Sequence, residues 1–310
     1  MAVELSYCVV NTEQRQLLRY CLDSIARERA AVPFETEVIV LDNASRDGSA
    51  GTARAHGATT EVIALEQRRG KGENDSTLLR RARGRYVLLL NEDAELEPGA
   101  TMALHDALHA EPEAAVAGAT LVTHAGEQEP SAWRFPGPLS ALLTILWLHR
   151  RFVVQSRGSD VRGVDWVQSA ALLVRRDAAE AVGYLDPAFF VYSDEVDFCK
   201  RLRNAGWEVL YVPSARAVGH DAPLDDEKRR IVELSRNRDR YMRKHHGPSA
   251  ARTVRWLTAF TYAMRALAAL VLPGHEARLY VRHARATMFP DRGEGLAESA
   301  SDYNRGGRRL

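Results

Sequence analysis

Short, unbroken apolar runs alternate with amphipathic stretches through the first ninety residues. Residues 5–10 read as a buried strand, and residues 16–27 set Leu17, Leu18, Cys21, Leu22 and Ile25 on one helical face. A second run, EVIVL at 37–41, ends in Asp42-Asn43-Ala44-Ser45-Arg46-Asp47-Gly48, which mixes turn and helix-capping residues. Residues 60–65 predict a third strand, 76–82 a helix, and the continuous run 86–90 a fourth strand. Strands that lack internal alternation and are separated by helices predict a mostly parallel sheet covered on both faces. Ligands of such sheets bind at the carboxyl ends of the strands, where Asp42 and the cluster Asn91-Glu92-Asp93 both fall.

The second half is less regular. Pro130, Pro136 and Pro138 precede an apolar piece at 139–148, and DWVQSAALLVR at 165–175 predicts a single strand. A short helix at 177–182, a helix at 194–205 and a strand at 207–212 follow. From Leu224 the chain turns charged and helical, and the glycine- and arginine-rich stretch 293–310 predicts a mobile tail. These shifts divide the chain into 1–125, 126–222, a helical region at 223–292 and the tail at 293–310.

Composition narrows the function classes. The 310 residues, 45% hydrophobic, support a sizeable core, and 42 Lys plus Arg against 41 Asp plus Glu leave no basic field for nucleic acid. Three cysteines (Cys8, Cys21, Cys199) form no disulfide framework and suit a reducing compartment. The opening MAVELSYCVV has no basic segment ahead of its apolar run, so no signal peptide is expected. The longest apolar tract, 256–273, is interrupted by Arg265 and falls short of the roughly 20 residues of a spanning helix. A cytoplasmic protein is expected, with contact to the inner face of the membrane left open.

Several clusters suit chemistry. Asp93, after a buried strand, suits Mg²⁺ or Mn²⁺, although an acidic surface turn reads the same way. Asp42 suits hydrogen bonds from a base or ribose, or a helix cap. Arg69 and Lys71 lie in RRGKGEND, a compact cationic loop fit for a diphosphate or merely solvated. Asp194 and Glu195 follow the aromatic run ending in Tyr192; either is a general base beside apolar surface or a charge complementing a helix dipole. His220 is a metal ligand or a core histidine.

Order and spacing decide among these. VIVLDNASRDGS, then GRYVLLLNEDAELEPGA, then VQSAALLVRRDAAEAVGYLDPAFFVYSDEVDFCKRLRNAGWEVLYVPSARAVGH resemble the family-2 glycosyltransferases, specifically their bacterial rhamnosyltransferase-like branch, over about residues 4–247. The resemblance implies a GT-A fold of the α/β class: a Rossmann-like, mixed and mainly parallel sheet flanked by helices, with a helical C-terminal extension. It implies nucleotide-sugar contacts from Val10, Asn11, Thr12, Asp42, Asn43, Arg69, Lys71, Asn91, Glu92 and Asp93. Asp93, with His220, then holds Mg²⁺ or Mn²⁺, Glu195 or Asp194 serves as base, and Trp166, Gln168, Ser169 and Tyr192 line the acceptor side.

The resemblance implies an inverting, metal-dependent transfer from a nucleotide-diphosphate sugar, dTDP-L-rhamnose first and a UDP-hexose second. The acceptor is a hydroxyl of a saccharide or polyprenyl-linked saccharide in cell-envelope glycan synthesis. The sequence departs from the family pattern at Asn11-Thr12-Glu13-Gln14, at 69–75, at Gln168-Ser169-Ala170 and in the Asp-Glu order of 194–195. These changes touch the donor loop and the acceptor floor, and keep a non-catalytic GT-A-like protein as a rival. A sugar-nucleotide pyrophosphorylase lacks support, because no glycine-rich phosphate loop follows the first strand. The apolar and basic stretches 139–151 and 252–272 predict either a bilayer contact or packing in a core or homodimer.

Overall fold

An apolar run flanked by short helical segments stays dry only if both faces of its strand are covered, and this requirement organises the first part of the chain. The computed structural model describes residues 2–220, 226–272 and 274–306. In chain order the elements open with β1 (Leu5–Asn11), α1 (Arg15–Ala31), β2 (Thr36–Asp42), α2 (Ser49–Ala55), β3 (Glu61–Ala64), α3 (Lys71–Arg81), β4 (Tyr86–Asn91) and β5 (Ala94–Leu96). There follow α4 (Ala100–Ala110), β6 (Ala114–Val122), β7 (Ala132–Trp133), α5 (Pro138–Ile145), α6 (His149–Phe152), β8 (Arg162–Gly163) and β9 (Trp166–Val167). The chain continues through β10 (Ala171–Arg175), α7 (Arg176–Ala181), α8 (Asp194–Asn204), β11 (Glu208–Gly219), α9 (Glu227–Ala268), α10 (Ala277–Met288) and α11 (Leu296–Gly306).

Two compact units emerge. The first takes Met1–Trp133, Gln155–Pro187 and Glu195–Pro223, and the second takes Arg134–Val154, Ala188–Asp194 and Leu224–Leu310.

The first unit is built on a sheet with strand order β3-β2-β1-β4-β10-β6-β11-β5, and β8 pairs with β11. Strands β3, β2, β1 and β4 run parallel, β10 enters antiparallel between β4 and β6, and β11 runs parallel to β6. This is the expected mixed, mainly parallel α/β sheet. Every residue of β1 is buried, as are Tyr86, Val87, Leu88, Leu89 and Leu90 of β4, and each Leu and Val among them contributes about 1.5–3 kcal/mol of burial free energy. Cys8, Cys21 and Cys199 are all free and buried.

Two expectations need correction here. Residues 165–175 form two strands, not one: β9 pairs with β7 in a separate ribbon, while β10 joins the main sheet. The turn between them holds Gln168 and Ser169. A close approach fixes β9, since a Cβ on Gly118 of β6 would lie 2.5 Å from Val167, so only glycine fits there. Helix α3 begins at Lys71, five residues ahead of the expected start, with Gly70 as its cap and Gly70 O accepting from Asn74 N at 3.1 Å.

The second unit is helical. Helix α9 breaks at Gly247, whose φ of +84° is left-handed, and Pro248 restarts the helix where a missing N–H costs nothing. Helices α10, α11 and α5 each pack against α9. Residues 296–306, within the expected mobile tail, instead form α11. Arg236 of α9 holds them by donating to both Glu298 oxygens (2.8 and 3.0 Å), and Glu298 accepts Gly295 N at 2.7 Å.

Candidate active site

Register brings the predicted polar residues together. Asn11, the last residue of β1, faces Asp42, the last of β2, while Val10 faces Asn91 at the end of β4. The carboxyl ends of three adjacent parallel strands therefore open at one edge, where the strand order changes direction about β1. Two turns leaving these strands are strained: Glu13 (φ +57°) and Ala44 (φ +56°) are left-handed without being glycine.

A hydrogen-bond network fixes this edge. Asn11 Nδ2 donates to Asp42 Oδ1 (2.9 Å) and Ser45 Oγ (3.3 Å), and Ser45 N donates to Asp42 Oδ2 (3.1 Å). Asp42 is thereby held rigid and almost fully buried. Asn43 spans to the cationic segment: its Nδ2 reaches Thr12 Oγ1 (3.2 Å) and Arg69 O (3.1 Å), and its Oδ1 accepts Arg69 N (2.8 Å). Arg68 pairs with Glu13 at 2.6 Å, Arg69 with Glu73 at 3.2 Å, and Lys71 with the buried Asp75 at 2.7 Å.

The acidic cluster follows β4. Thr12 N donates to Glu92 Oε1 at 3.3 Å, which ties β1 to the cluster. Burial pushes the Glu92 carboxyl up to about 7, the Asp93 charge adds to that, and the Thr12 N–H and Lys71 oppose it. Burial also raises the Asp93 carboxyl, with its own backbone N–H, Lys71, His220 and Asn91 pulling the other way. Two carboxylates are thus crowded into a partly buried corner whose nearby cations do not fully offset them. That donor set fits a hard divalent cation, which takes one or two carboxylates and completes its shell with substrate oxygens. Among the described residues no group of three or more His, Cys, Asp or Glu side chains stands ready to hold a metal ion on its own.

His220 joins the same edge through β11. Its backbone N donates to Asp93 O (2.8 Å), next to the Gly219–Ala94 pair of β11 and β5. Its ring lies between His124 (Nε2 to Nδ1, 2.9 Å) and Glu95 (3.2 Å from Nε2), stacked on Tyr20 at 5.7 Å. Both ring nitrogens are engaged, so His220 could ligate only by giving up one partner. Glu95 also pairs with Arg27, and Glu97 with Arg216, each at 2.7 Å.

The turn after β9 reaches this edge as well. Asn91 N donates to Ala170 O at 3.1 Å, and Gln168 N to Ser131 O at 3.0 Å, so Gln168 and the buried Ser169 sit beside the end of β4. Trp166 stacks on Trp133 at 4.5 Å across the β7–β9 ribbon. Glu195 is half-buried in the first turn of α8, and no hydrogen bond or ion pair among the described residues joins it to the network. Asp197 is the structural acid of that helix: it pairs with Arg201 at 2.8 Å, which also donates to Tyr184 O at 2.6 Å. Tyr192 and Asp194 belong to the second unit, and Tyr192 and Ser193 are both left-handed (φ +64°) just before α8. His124, Glu13, Thr12 as a link to Glu92, and Trp133 carried no local sequence signal for these contacts.

Comparison with known proteins defines the class. The model of glycosyl transferase family 2 matches residues 6–181, and the chain belongs to that family. Its fold is that of the GT-A glycosyltransferases. It resembles a mannosyltransferase from Pyrobaculum calidifontis, solved with GDP-Man and Mn²⁺, at a TM-score of 0.60 and 15% identity over 94% of this chain and 86% of that one. GalNAc-T7 with UDP, GalNAc and Mn²⁺ superposes at a TM-score of 0.58 and 12% identity, over 92% of this chain and 54% of that one.

More particularly, the chain is 34% identical over 145 residues to the N-acetylglucosaminyl-diphospho-decaprenol L-rhamnosyltransferase of Mycobacterium tuberculosis. The match spans 44% of this chain and about half (47%) of the length of that relative. Among the described residues, no helix is long and apolar enough to cross a membrane.

Proposed function

We propose that this chain transfers a glycosyl group, with inversion, from a nucleoside-diphosphate sugar to a hydroxyl of a lipid-linked saccharide. The observation that carries the reading is the shared strand-end edge: Asp42, Asn43, Arg69 and the Asn91-Glu92-Asp93 cluster are locked into one network. The mycobacterial relative supports dTDP-L-rhamnose as the first donor to test and a polyprenyl-diphosphate-linked N-acetylglucosamine as the first acceptor.

In this reading Val10, Asn11, Thr12, Asp42 and Asn43 receive the nucleoside, with Asp42 pre-set to accept hydrogen bonds. Arg69 and Lys71 face the diphosphate, and Lys71 opens α3, whose N-terminus adds backbone donors. Asp93, with His220 and with Asn91 as its helper, would hold Mg²⁺ or Mn²⁺. When bound, the cation neutralises charge that gathers on the departing nucleoside diphosphate. Glu195, with Asp194 beside it in the chain, accepts the proton of the attacking hydroxyl as the new glycosidic bond forms. Gln168, Ser169 and Trp166 orient the acceptor.

Thermal unfolding with dTDP-L-rhamnose, UDP-glucose, UDP-galactose and GDP-mannose, each with Mn²⁺, tests the donor half. One nucleotide class should raise Tm in the native chain and not in Asp42→Ala, by preferential binding to the folded state. No shift with any of the four would reject the reading.

A further inference from the structure

Beyond the transfer site, the second unit carries an apolar surface that its own packing leaves open. Past the Gly247 break, Trp256, Phe260, Met264 and Leu267 recur at spacings of four, four and three, one stripe of α9, and Val271 follows four residues on in the turn after it. All five are exposed, Trp256 at 65% and Val271 at 82%, while Ala251, Val254, Ala259 and Ala266 of the same segment are buried. The helix therefore packs small residues inward and points its large apolar residues out, the reverse of ordinary burial.

Helix α5 repeats the arrangement. None of its residues is buried, and Leu139, Leu142 and Leu146 share an exposed face that leads to Trp147 at 77% exposure. The two helices run alongside each other. Gly137, which caps α5, lies near His246, and Arg265 of α9 acts on His149 just past its other end. The two stripes thus lie on packed helices of one unit.

The charge on these segments is one-sided. Residues 134–152 contain no Asp or Glu, and 247–290 contain six arginines against the single acid Glu276. Arg255 pairs with Asp239 (2.7 Å) and Arg282 with Glu227 (3.6 Å). Arg150, Arg151, Arg252, Arg278 and Arg285 are exposed and make no ion pair among the described residues. An exposed apolar surface with two tryptophans, on segments that carry these exposed arginines and a single acid, matches the chemistry of an anionic lipid surface. A self-association face of this kind would instead bring like charges together.

We infer that the exposed face of α5 and the second half of α9 docks on an anionic bilayer, lying in its surface without crossing it. The inference needs no sugar, donor or metal, so it stands or fails apart from the transfer reaction. Flotation of the full chain tests it, with vesicles of phosphatidylcholine alone or mixed with phosphatidylglycerol. Binding is expected to the anionic vesicles, at least tenfold weaker to neutral ones and weakened by salt, with brominated lipid quenching Trp147 and Trp256. The triple variant Trp256→Ser, Phe260→Ser, Leu267→Ser should lose at least tenfold in vesicle binding. Arg150→Glu with Arg151→Glu should lose the anionic preference; both variants should keep the native Tm, since the altered side chains are exposed. No binding to anionic vesicles would overturn the inference, as would equal binding by the triple variant. A stable dimer that the triple variant dissociates, without vesicle binding, would assign the face to a second copy and overturn it too.

Discussion

The sheet unit and the helical unit answer the same sequence signal in opposite ways. In β4 the apolar run is fully buried from Tyr86 to Leu90, and polarity appears only where the strand ends, at Asn91, Glu92 and Asp93. In the second half of α9 the largest apolar residues are the ones left outside. Hydropathy alone does not say what covers an apolar segment. A central parallel strand has neighbours on both edges and helices on both faces, so burial is complete and chemistry collects at its end. A helix packed along one side has a second side, and alanines on the packed side leave the bulky stripe for something other than the core.

The sharpest way to break this contrast is at the strand end. Asp93→Asn should lower turnover by about 10³-fold, close to 4 kcal/mol in the barrier, while the melting temperature stays near that of the native chain. Near-native turnover would remove the acidic cluster from the reaction. Glu195→Gln should cost about 10²–10⁴-fold in turnover with donor binding retained; full activity in steady-state assays would move the base to Asp194 or dispense with one.

Next come the apolar residues themselves. Leu88→Ala should cost about 2–5 kcal/mol in urea unfolding, because its side chain is wholly buried in β4. Leu267→Ala, on the exposed stripe, should stay within about 0.5 kcal/mol, and a large loss there would mean that the stripe is packed after all.

A buried charge gives a smaller, pH-dependent test. Burial alone would raise the Glu37 carboxyl, but Ser6 Oγ (2.6 Å) and the Arg83 backbone N–H and Nε (2.7 Å each) outweigh it and lower its pKa. A lowered carboxylate stabilises the fold above its unfolded pKa and loses that contribution as pH falls through the folded one. Glu37→Gln should therefore cost roughly 1–3 kcal/mol at pH 7 and progressively less on acidification below the ordinary carboxylate range. A penalty that does not change with pH would show that Glu37 acts through shape and not charge.

Much of the candidate site was legible as a cluster of polar residues because they sit where strands stop. Asp42 and Asp93 follow uninterrupted apolar runs, and position at a strand end is a local property that a sequence displays. What holds them was not. The Thr12–Glu92 link spans 80 positions and the His124–His220 pair 96, and such partners are chosen by sheet order, which periodicity does not encode. The strand expected across 165–175 broke because Gln168 and Ser169 interrupt it where its two halves join different ribbons. Helix α11 was missed because glycine- and arginine-rich composition suggests a tail, whereas its order rests on the distant Arg236. Bulk apolarity in 256–272 was visible from the start; its outward direction was not.

Glycosyl transfer at this strand-end edge is the activity proposed for the chain. Its most direct test is incubation of the full chain with labelled dTDP-L-rhamnose and UDP-hexoses, polyprenyl-diphosphate-linked N-acetylglucosamine and Mn²⁺, followed by extraction of the lipid product. The expected result is label in the lipid fraction from one donor class, abolished by EDTA and by Asp93→Asn. Absence of transfer and of donor hydrolysis across the panel, from a folded chain that still binds nucleotide, would contradict the claim.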